Sequence, residues 1–248
     1  FVENMVDVFR EVKRVLRKDG TLWLNLGDTY CGTGHKGEHT DPKHKEGRNG
    51  QKIALNNKVA GLKSKDLIGI PWRVALALQA DGWYLRSDII WNKPNPMPEA
   101  VKDRPTKSHE YIFLLTKSAK YYYDAEAIKE KVTGNSHAGR KDKKLSPNSF
   151  YEVEESKFNN RKGTWKPTYL PEKRNKRSVW KLSSKPYSEA HFATFPEELP
   201  ETCIKAGTQK GDVVLDIFAG SGTTLRVASM LGRKGIGIEL NPEYIKIL

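Results

Sequence analysis

Hydrophobic and polar positions along the chain follow patterns that predict alternating helices and strands. Charged residues separate apolar positions at helical spacing near the N-terminus, which predicts an amphipathic helix through Val2, Met5, Val6, Phe9, Val12 and Leu16. Pro71 suits the first turn of a second helix over 71–80, and a third is predicted over 223–231. Short apolar runs predict strands over 21–26, 83–91, 110–116, 212–217 and 235–240. This alternation indicates an α/β fold, a doubly wound, mainly parallel sheet with helices on both faces.

Two polar segments interrupt this pattern and carry the excess positive charge. The chain has 43 Lys and Arg against 30 Asp and Glu, a net charge of +13. The loop 31–65 holds eight basic and three acidic residues, and the segment 117–185 holds eighteen and eight. The remaining framework is therefore slightly acidic. Two basic segments around a structured block favour a nucleic-acid partner over a generally basic surface.

Apolar runs and cysteines exclude several other classes of protein. The longest apolar stretches are strand-length, far short of the ~20 residues that span a bilayer. Two cysteines, Cys31 and Cys203, cannot form a disulfide framework, which points to a reducing, cytoplasmic location. Cys31 with His35, His39 and His44 matches no strong zinc-binding spacing, so we predict no metal site.

The sharpest motif is a glycine-rich turn between a predicted strand and a predicted helix, Asp216-Ile-Phe-Ala-Gly-Ser-Gly-Thr-Thr224. Gly220 and Gly222 allow a tight turn and close approach of a ligand to the backbone, and the following helix directs free N–H groups at it. Glu239 ends the next strand, where a carboxylate can accept hydrogen bonds from both hydroxyls of a ribose. The motif therefore predicts a nucleoside ligand.

Three other interpretations of this turn are weaker. A phosphate loop for ATP requires Gly-Lys-Ser/Thr, but Thr223 follows Gly222. A dinucleotide fingerprint requires a third glycine, which is missing here. A simple tight turn explains the glycines but not the carboxylates of Asp216 and Glu239 at the ends of neighbouring strands.

The turn resembles the S-adenosylmethionine-binding motif of DNA amino-methyltransferases. The segment 188–196 looks like the one that precedes this motif in the family, and 65–72, 88–98 and 103–112 are similar to its catalytic half. The order of these segments, with the catalytic half first and the cofactor half last, resembles that of the circularly permuted β group. This group comprises N4-cytosine and N6-adenine enzymes. The resemblance implies the S-adenosylmethionine-dependent methyltransferase fold, with a catalytic half 1–116, a target-recognition region 117–185 and a cofactor half 186–248.

The resemblance also implies the cofactor and the residues that hold it. The cofactor is S-adenosyl-L-methionine, and its candidate contacts are Asp216, Phe218, Ala219, Gly220, Ser221, Gly222, Thr223, Thr224, Glu239, Thr194 and Phe195. The implied reaction moves a methyl group to an exocyclic amine of a base flipped out of double-stranded DNA. The flanking segments favour N4 of cytosine slightly over N6 of adenine.

The family's catalytic tetrapeptide, Asp/Ser/Asn-Pro-Pro-aromatic, does not occur in these residues. In the permuted order it is expected just before the first helix, so we expect it upstream of Phe1 and expect this chain alone to be inactive. C5-cytosine methylation is excluded, because it requires a cysteine after a proline and neither Cys31 nor Cys203 follows one.

Candidate DNA contacts lie in two places. A proline-stiffened loop after the strand 83–91 and the basic segment 117–185 supply Lys93, Asn95, Arg104, Lys107, Arg161, Lys162, Arg174 and Arg177. For the loop, a rigid surface connection is an equally good interpretation. Asp28, at the end of the first strand, either orients the target or cofactor or caps the strand end.

Two other functions remain open at this point. A protein on the same fold could bind DNA without methylating it, or the substrate could be RNA or protein. A restriction endonuclease is a possible partner of a DNA methyltransferase.

Overall fold

The computed structural model describes residues 1–32, 61–131, 173–183 and 195–245. Its helices are α1 (Val2–Val15), α2 (Ile70–Ala80), α3 (Glu198–Gly207), α4 (Thr223–Met230) and α5 (Pro242–Ile245). Its strands are β1 (Thr21–Leu26), β2 (Tyr84–Asn92), β3 (His109–Thr116), β4 (Glu130–Lys131), β5 (Lys173–Arg174), β6 (Val179–Lys181), β7 (Val213–Asp216) and β8 (Lys234–Gly237). None of these helices has the length and apolar character needed to cross a bilayer.

The chain divides into two compact units. The first comprises Phe1–Asp124 and Arg177–Leu248, and the second comprises Ala125–Lys176. Residues 117–124 and 177–183, which the sequence groups with the recognition region, thus belong to the first unit. In the second unit, β4 pairs antiparallel with β5, and Arg174 Nε donates to Glu130 Oε1 at 2.8 Å.

The main sheet of the first unit has the strand order β1-β3-β2-β6. β6 is parallel to β2, but β3 is antiparallel to both β1 and β2. The α/β architecture agrees with the sequence prediction, whereas the direction of β3 departs from a mainly parallel sheet. The physical reason is the connection between β2 and β3: residues 93–108 contain no helix, and only antiparallel neighbours can be joined without a crossover.

Two hydrophobic cores cover opposite faces of this sheet. On one face, α1 and α2 pack on β1 and β3 through a cluster that includes Phe9, Leu78 and Phe113. On the other face, α3 packs on β2, β3 and β6 through a cluster that includes Trp91 and Cys203. Successive side chains of β3 alternate between the two clusters, as the period of a strand requires. Helices therefore cover both faces, as predicted.

A second parallel pair, β7 and β8, is joined through α4. This βαβ unit packs on α3 through Ile204, Val227 and Ala228. Glycine lets α4 lie close to β8, because a Cβ at Gly237 would come within 2.6 Å of Leu225 Cδ1 and 3.0 Å of Ala219 Cβ. The predicted strand 235–240 is shorter in the structure and ends at Gly237. The close packing places the glycine turn before α4 next to the residues that follow β8.

Asp28 caps the entry to α2 from a distant part of the chain. Its Oδ1 accepts hydrogen bonds from the backbone N–H groups of Thr29 at 2.9 Å, Gly69 at 2.9 Å and Ile70 at 3.0 Å. The two donors from Gly69 and Ile70 are N–H groups of the kind that a helix start leaves unpaired. The sequence suggested a role at the end of β1 or in orienting a ligand, and it did not predict this contact with the start of α2.

Candidate functional site

The glycine turn occupies residues 217–222, between the carboxyl end of β7 and the first turn of α4. Gly220 and Gly222 have φ angles of 52° and 75°, in the left-handed region that favours glycine. Gly222 is the N-cap residue of α4, and its N–H donates to the carbonyl of Ala219 at 2.8 Å. Two left-handed glycines thus form the sharp turn that leads from β7 into the N-terminus of α4.

Asp216 holds this turn in shape from within. Its Oδ1 accepts the backbone N–H of Phe218 at 3.0 Å, and its Oδ2 accepts the hydroxyl of Thr224 at 2.6 Å. One carboxylate thus joins the end of β7 to the start of the turn and to the first turn of α4. These contacts give Asp216 a role in holding the turn, and its contact with a ligand stays a prediction.

Glu239 connects the turn to the end of the neighbouring strand. Its Oε2 accepts the N–H of Gly220 at 2.8 Å, and its Oε1 accepts the N–H of Asn241 at 2.8 Å. The hydrogen bonds from Asn241 and Gly220 lower the pKa of the Glu239 carboxyl below its ordinary value, against a smaller opposing effect of burial. Glu239 is therefore ionised at neutral pH, and each oxygen keeps lone-pair capacity for a further donor.

Two exposed apolar side chains belong to the turn and to the segment that follows β8. Leu240 follows Glu239 directly and is 93% exposed, and Phe218 in the turn is 58% exposed. The sequence prediction included Phe218 but missed Leu240. Its position after the acidic residue was visible in the sequence, but only the structure reveals an exposed apolar side chain there. A carboxylate and exposed apolar side chains in the same part of the molecule suit a nucleoside, which presents hydroxyls and a flat base.

The other predicted cofactor contacts are placed as follows. Ala219 is buried beneath the turn, and the hydroxyls of Ser221 and Thr223 lie 3.5 Å apart. Phe195 packs against the core on the α3 face of the sheet. Its neighbour Glu197 forms an ion pair with Arg226 of α4, which ties the start of α3 to the helix after the turn. Thr194 lies outside the described residues.

A second polar cluster lies at the carboxyl ends of β1 and β2. Lys93, just after β2, forms an ion pair with Glu110 of β3, and its Nζ lies 4.3 Å from the centre of the Trp91 ring. Asn25 Nδ2 donates to Glu110 Oε2 at 3.1 Å and to the carbonyl of Tyr111 at 2.9 Å. Lys93 and Glu110 are each 23% exposed, so this pair is largely withdrawn from water. The cluster fixes the ends of three adjacent strands.

The loop 93–108 is fastened to neighbouring segments by its charged residues. Arg104 pairs with Glu99 at 2.6 Å, and its guanidinium lies 4.1 Å from the centre of the Tyr30 ring. Lys65 pairs with Asp103 at 2.7 Å. Arg104 lowers the pKa of the Glu99 carboxyl, and Lys65 lowers that of Asp103, in both cases chiefly through a hydrogen bond. These contacts hold the loop against the segments that follow β1 and precede α2.

The candidate DNA-contact residues differ in whether they form an ion pair within the protein. Lys93, Arg104 and Arg174 are engaged in ion pairs, with Glu110, Glu99 and Glu130. Asn95 is exposed, and the ammonium of Lys107 has no ion-pair partner within 4 Å among the described residues. Arg177 is exposed next to β6, and Arg161 and Lys162 lie outside the described residues.

Cysteine and histidine residues form no metal centre in the described part of the chain. Cys31 and Cys203 are both buried and free of disulfides. No group of three or more His, Cys, Asp or Glu side chains suited to a metal ion occurs among the described residues. His35, His39 and His44 lie outside them.

Fold and site together define the class of the protein. A glycine turn after a strand, a helix N-terminus and a carboxylate at the end of the next strand are the features of an α/β protein that binds a nucleoside ligand at the carboxyl ends of its strands. The family model described as DNA methylase, covering the N6 and N4 enzymes, matches residues 1–248, and the chain belongs to this family. Its cofactor is S-adenosyl-L-methionine, as the sequence resemblance implies.

Close relatives support the same assignment. The chain is 48% identical over 247 residues to the Type II methyltransferase M.Cfr9I of Citrobacter freundii, covering 100% of this chain and 69% of the relative. It is 46% identical over 248 residues to the Type II methyltransferase M.SmaI of Serratia marcescens, covering 100% and 72%. The predicted family is therefore confirmed.

Solved structures share the fold. The PvuII cytosine-N4-specific DNA methyltransferase superposes with a TM-score of 0.61 at 20% identity, covering 99% of this chain and 68% of that one. A protein of Thermus thermophilus, named as a putative DNA modification methylase and complexed with S-adenosyl-L-methionine, gives 0.56 at 22% identity, covering 99% and 74%. The predicted methyltransferase fold is confirmed by these neighbours.

Proposed function

We propose that this protein transfers the methyl group of S-adenosyl-L-methionine to an exocyclic amine of a flipped base in double-stranded DNA, and that the amine is N4 of cytosine. The observation that carries the proposal is the carboxylate of Glu239, held at 2.8 Å from the N–H of Gly220 across the glycine turn. The name of the PvuII enzyme and the flanking sequence segments favour cytosine over adenine.

The residues of the turn fit the cofactor. Glu239 would hold the ribose hydroxyls through the lone pairs that Gly220 and Asn241 leave available. Leu240 and Phe218 offer apolar surface to the adenine ring, and the backbone of the turn allows close approach of the remaining part. Bound there, the cofactor supplies an electrophilic methyl group on a positively charged sulfur.

The cluster at the ends of β1 and β2 serves the substrate side. Glu110 neutralises Lys93 and holds the Asn25 amide, so these side chains keep one arrangement at the edge where the strands end. The donors of the Asn25 amide are occupied by Glu110 and Tyr111, which leaves its oxygen as an acceptor. Transfer of a methyl group requires the amine and the donor to be aligned, and fixed side chains contribute to that alignment.

A product analysis tests the reaction. The protein is expressed from its whole gene. It is then incubated with duplex DNA and with cofactor that carries a labelled methyl group. The DNA is then digested and the nucleosides are separated by mass. We expect labelled N4-methylcytosine. Labelled N6-methyladenine would overturn the choice of base, and label found on RNA alone would overturn the class of substrate.

We also propose that the methylation protects DNA from a restriction endonuclease, because the relatives from C. freundii and S. marcescens are named Type II methyltransferases. Sequencing of the labelled DNA locates the methylated site. DNA methylated at that site is expected to resist a Type II endonuclease that cuts there, and cleavage at an unchanged rate would contradict this role.

Lys107 and Arg104 give a direct test of which loop cations bind phosphate. Each phosphate contact releases counterions, so its loss reduces the slope of log affinity against log salt by about one. We expect this reduction for Lys107→Gln. For Arg104→Gln we expect an unchanged slope with weaker binding, because Arg104 is engaged with Glu99 and Tyr30. Titrations of duplex DNA at several salt concentrations measure both, and a reduced slope for Arg104→Gln would show that it binds phosphate.

A further inference from the structure

An exposed methionine lies in the loop 93–108, the loop that also carries candidate DNA-contact residues. Met97 is 86% exposed and lies in the sequence Pro94-Asn-Pro-Met-Pro98. Each proline fixes its own φ angle, and the residue before a proline is confined to extended conformations. Pro98 therefore confines the backbone of Met97 to extended conformations, although the Met97 side chain contributes little buried surface to the fold.

The base of the loop is anchored at several points. The N–H of Lys93 donates to the carbonyl of Ser108 at 2.8 Å, which closes the loop at the ends of β2 and β3. The ion pairs of Arg104 with Glu99 and of Lys65 with Asp103 hold its second half. A stiff, anchored loop can insert an apolar side chain without first losing much conformational entropy.

Charge in the same loop matches a polyanion, because its two acidic residues are already paired with cations. Lys102 and Lys107 belong to the same loop, and the polar Asn95 lies two residues before Met97. The loop follows the carboxyl end of β2, the edge at which open α/β sheets bind their ligands. Proteins that enter a base stack combine cations that bind phosphates with an exposed apolar side chain, and methionine is among the side chains used.

We propose that Met97 inserts into the base stack of duplex DNA beside the target base and fills the space that the flipped base leaves. The inference rests on the proposed function, because it assigns Met97 a role in the flipping that precedes methyl transfer. Removing a base from the stack costs several stacking contacts, and an apolar side chain in the gap restores part of them. The unbranched thioether adapts its shape to the neighbouring bases.

The test uses duplexes that carry the methylated site found by product analysis, with 2-aminopurine next to the target base. Unstacking of this analogue raises its fluorescence. We expect Met97→Ala to lose most of the rise seen with the unchanged protein and to bind the duplex about tenfold more weakly, on the scale of the stacking energy of one base-pair step. Met97→Leu is expected to keep most of both, because it retains an apolar side chain.

A second duplex separates a role in flipping from a role in folding. When the duplex lacks the methylated site, no base is flipped and no gap opens for Met97 to fill. On this duplex Met97→Ala should bind as tightly as the unchanged protein. A defect of equal size on both duplexes would overturn the proposal, as would a full rise in fluorescence for Met97→Ala with the first duplex.

Met230→Ala provides the matched control. Met230 is 73% exposed at the end of α4 and takes part in none of the contacts described above. With Met230→Ala, we expect the rise in 2-aminopurine fluorescence and the affinity for the duplex to equal those of the unchanged protein. Failure of the proposed function gives a different result: the unchanged protein would then transfer no methyl group to DNA and produce no rise in fluorescence with any duplex.

Discussion

Replacement of Glu239 by alanine is expected to weaken binding of S-adenosyl-L-methionine by roughly a hundredfold or more, the scale of losing several hydrogen bonds to a charged group. The substitution removes the acceptor for the ribose hydroxyls. It also leaves the N–H groups of Gly220 and Asn241 without their acceptor, so the turn loses its link to the end of β8. Isothermal calorimetry with the purified protein measures the change.

Two further variants sharpen this experiment. Glu239→Gln is expected to lose most of the affinity as well, because an amide offers one acceptor oxygen where two backbone N–H groups require acceptors. Glu11→Ala removes a 68% exposed carboxylate of α1 that pairs with Arg14, and it should bind the cofactor normally. Unchanged affinity in Glu239→Ala would contradict the assignment of this turn as the cofactor site.

The pH dependence follows from the lowered pKa of Glu239. Its charged form is favoured in the folded protein by the N–H groups of Asn241 and Gly220. The stability that this carboxylate contributes is therefore complete above the usual pKa of a glutamate, about 4.3, and is lost as the pH falls through the lower folded value. Glu239 should therefore keep its charge between pH 6 and 8 and add no pH dependence to cofactor affinity there, and a titration of this group in that range would contradict the hydrogen-bonding pattern.

Replacement of Phe113 by alanine is expected to lower the free energy of unfolding by about 3–5 kcal/mol, the usual cost of removing a fully buried phenylalanine. Phe113 is 0% exposed at the centre of β3. The centre of its ring lies 4.9 Å from that of Trp72, in an edge-on arrangement, and 5.9 Å from that of Tyr111, in a stacked one. The substitution therefore opens a cavity where α2 packs on the sheet. In a chain of this size the melting temperature should fall by roughly 6–20 °C.

Leu76→Ala on α2 serves as the control for this prediction. Leu76 is 52% exposed, and its truncation should change stability by no more than about 0.5 kcal/mol. Below its melting temperature, Phe113→Ala should still bind the cofactor with normal affinity, because β7, α4 and β8 have a separate cluster around Val227. Chemical denaturation and calorimetry test the two parts, and equal stability of both variants would show that this core does not support the sheet.

Local sequence patterns predicted the elements of the fold well. β1 has the predicted bounds, and α1, α2, β2, β3 and α4 agree within about two residues. Their periodicity depends on residues close together in the chain. The direction of β3 depends instead on which strands it pairs with, and a local pattern does not specify this. The three residues of β6 lie in a polar segment and become a strand by pairing with β2.

The chemistry of the candidate site was predicted unevenly. Asp216 and Glu239 were identified because a glycine turn and two strand ends lie at recognisable spacing. Residue type made Arg104 a candidate phosphate ligand, and the structure finds it between Glu99 and Tyr30. Lys93 likewise pairs with Glu110. The sequence predicts Glu110 in a strand but does not indicate which residue it pairs with.

By itself the sequence determined which segments bury apolar faces, where the backbone must turn through glycine, and which carboxylates end the strands beside that turn. The tertiary structure alone decided what those groups contact: the N–H of Gly220 for Glu239, the start of α2 for Asp28, and solvent for Met97. The reason is physical. Helix and strand periodicity is a property of neighbouring residues, whereas the partner of a charge or the exposure of a side chain depends on segments that packing brings together from distant parts of the chain.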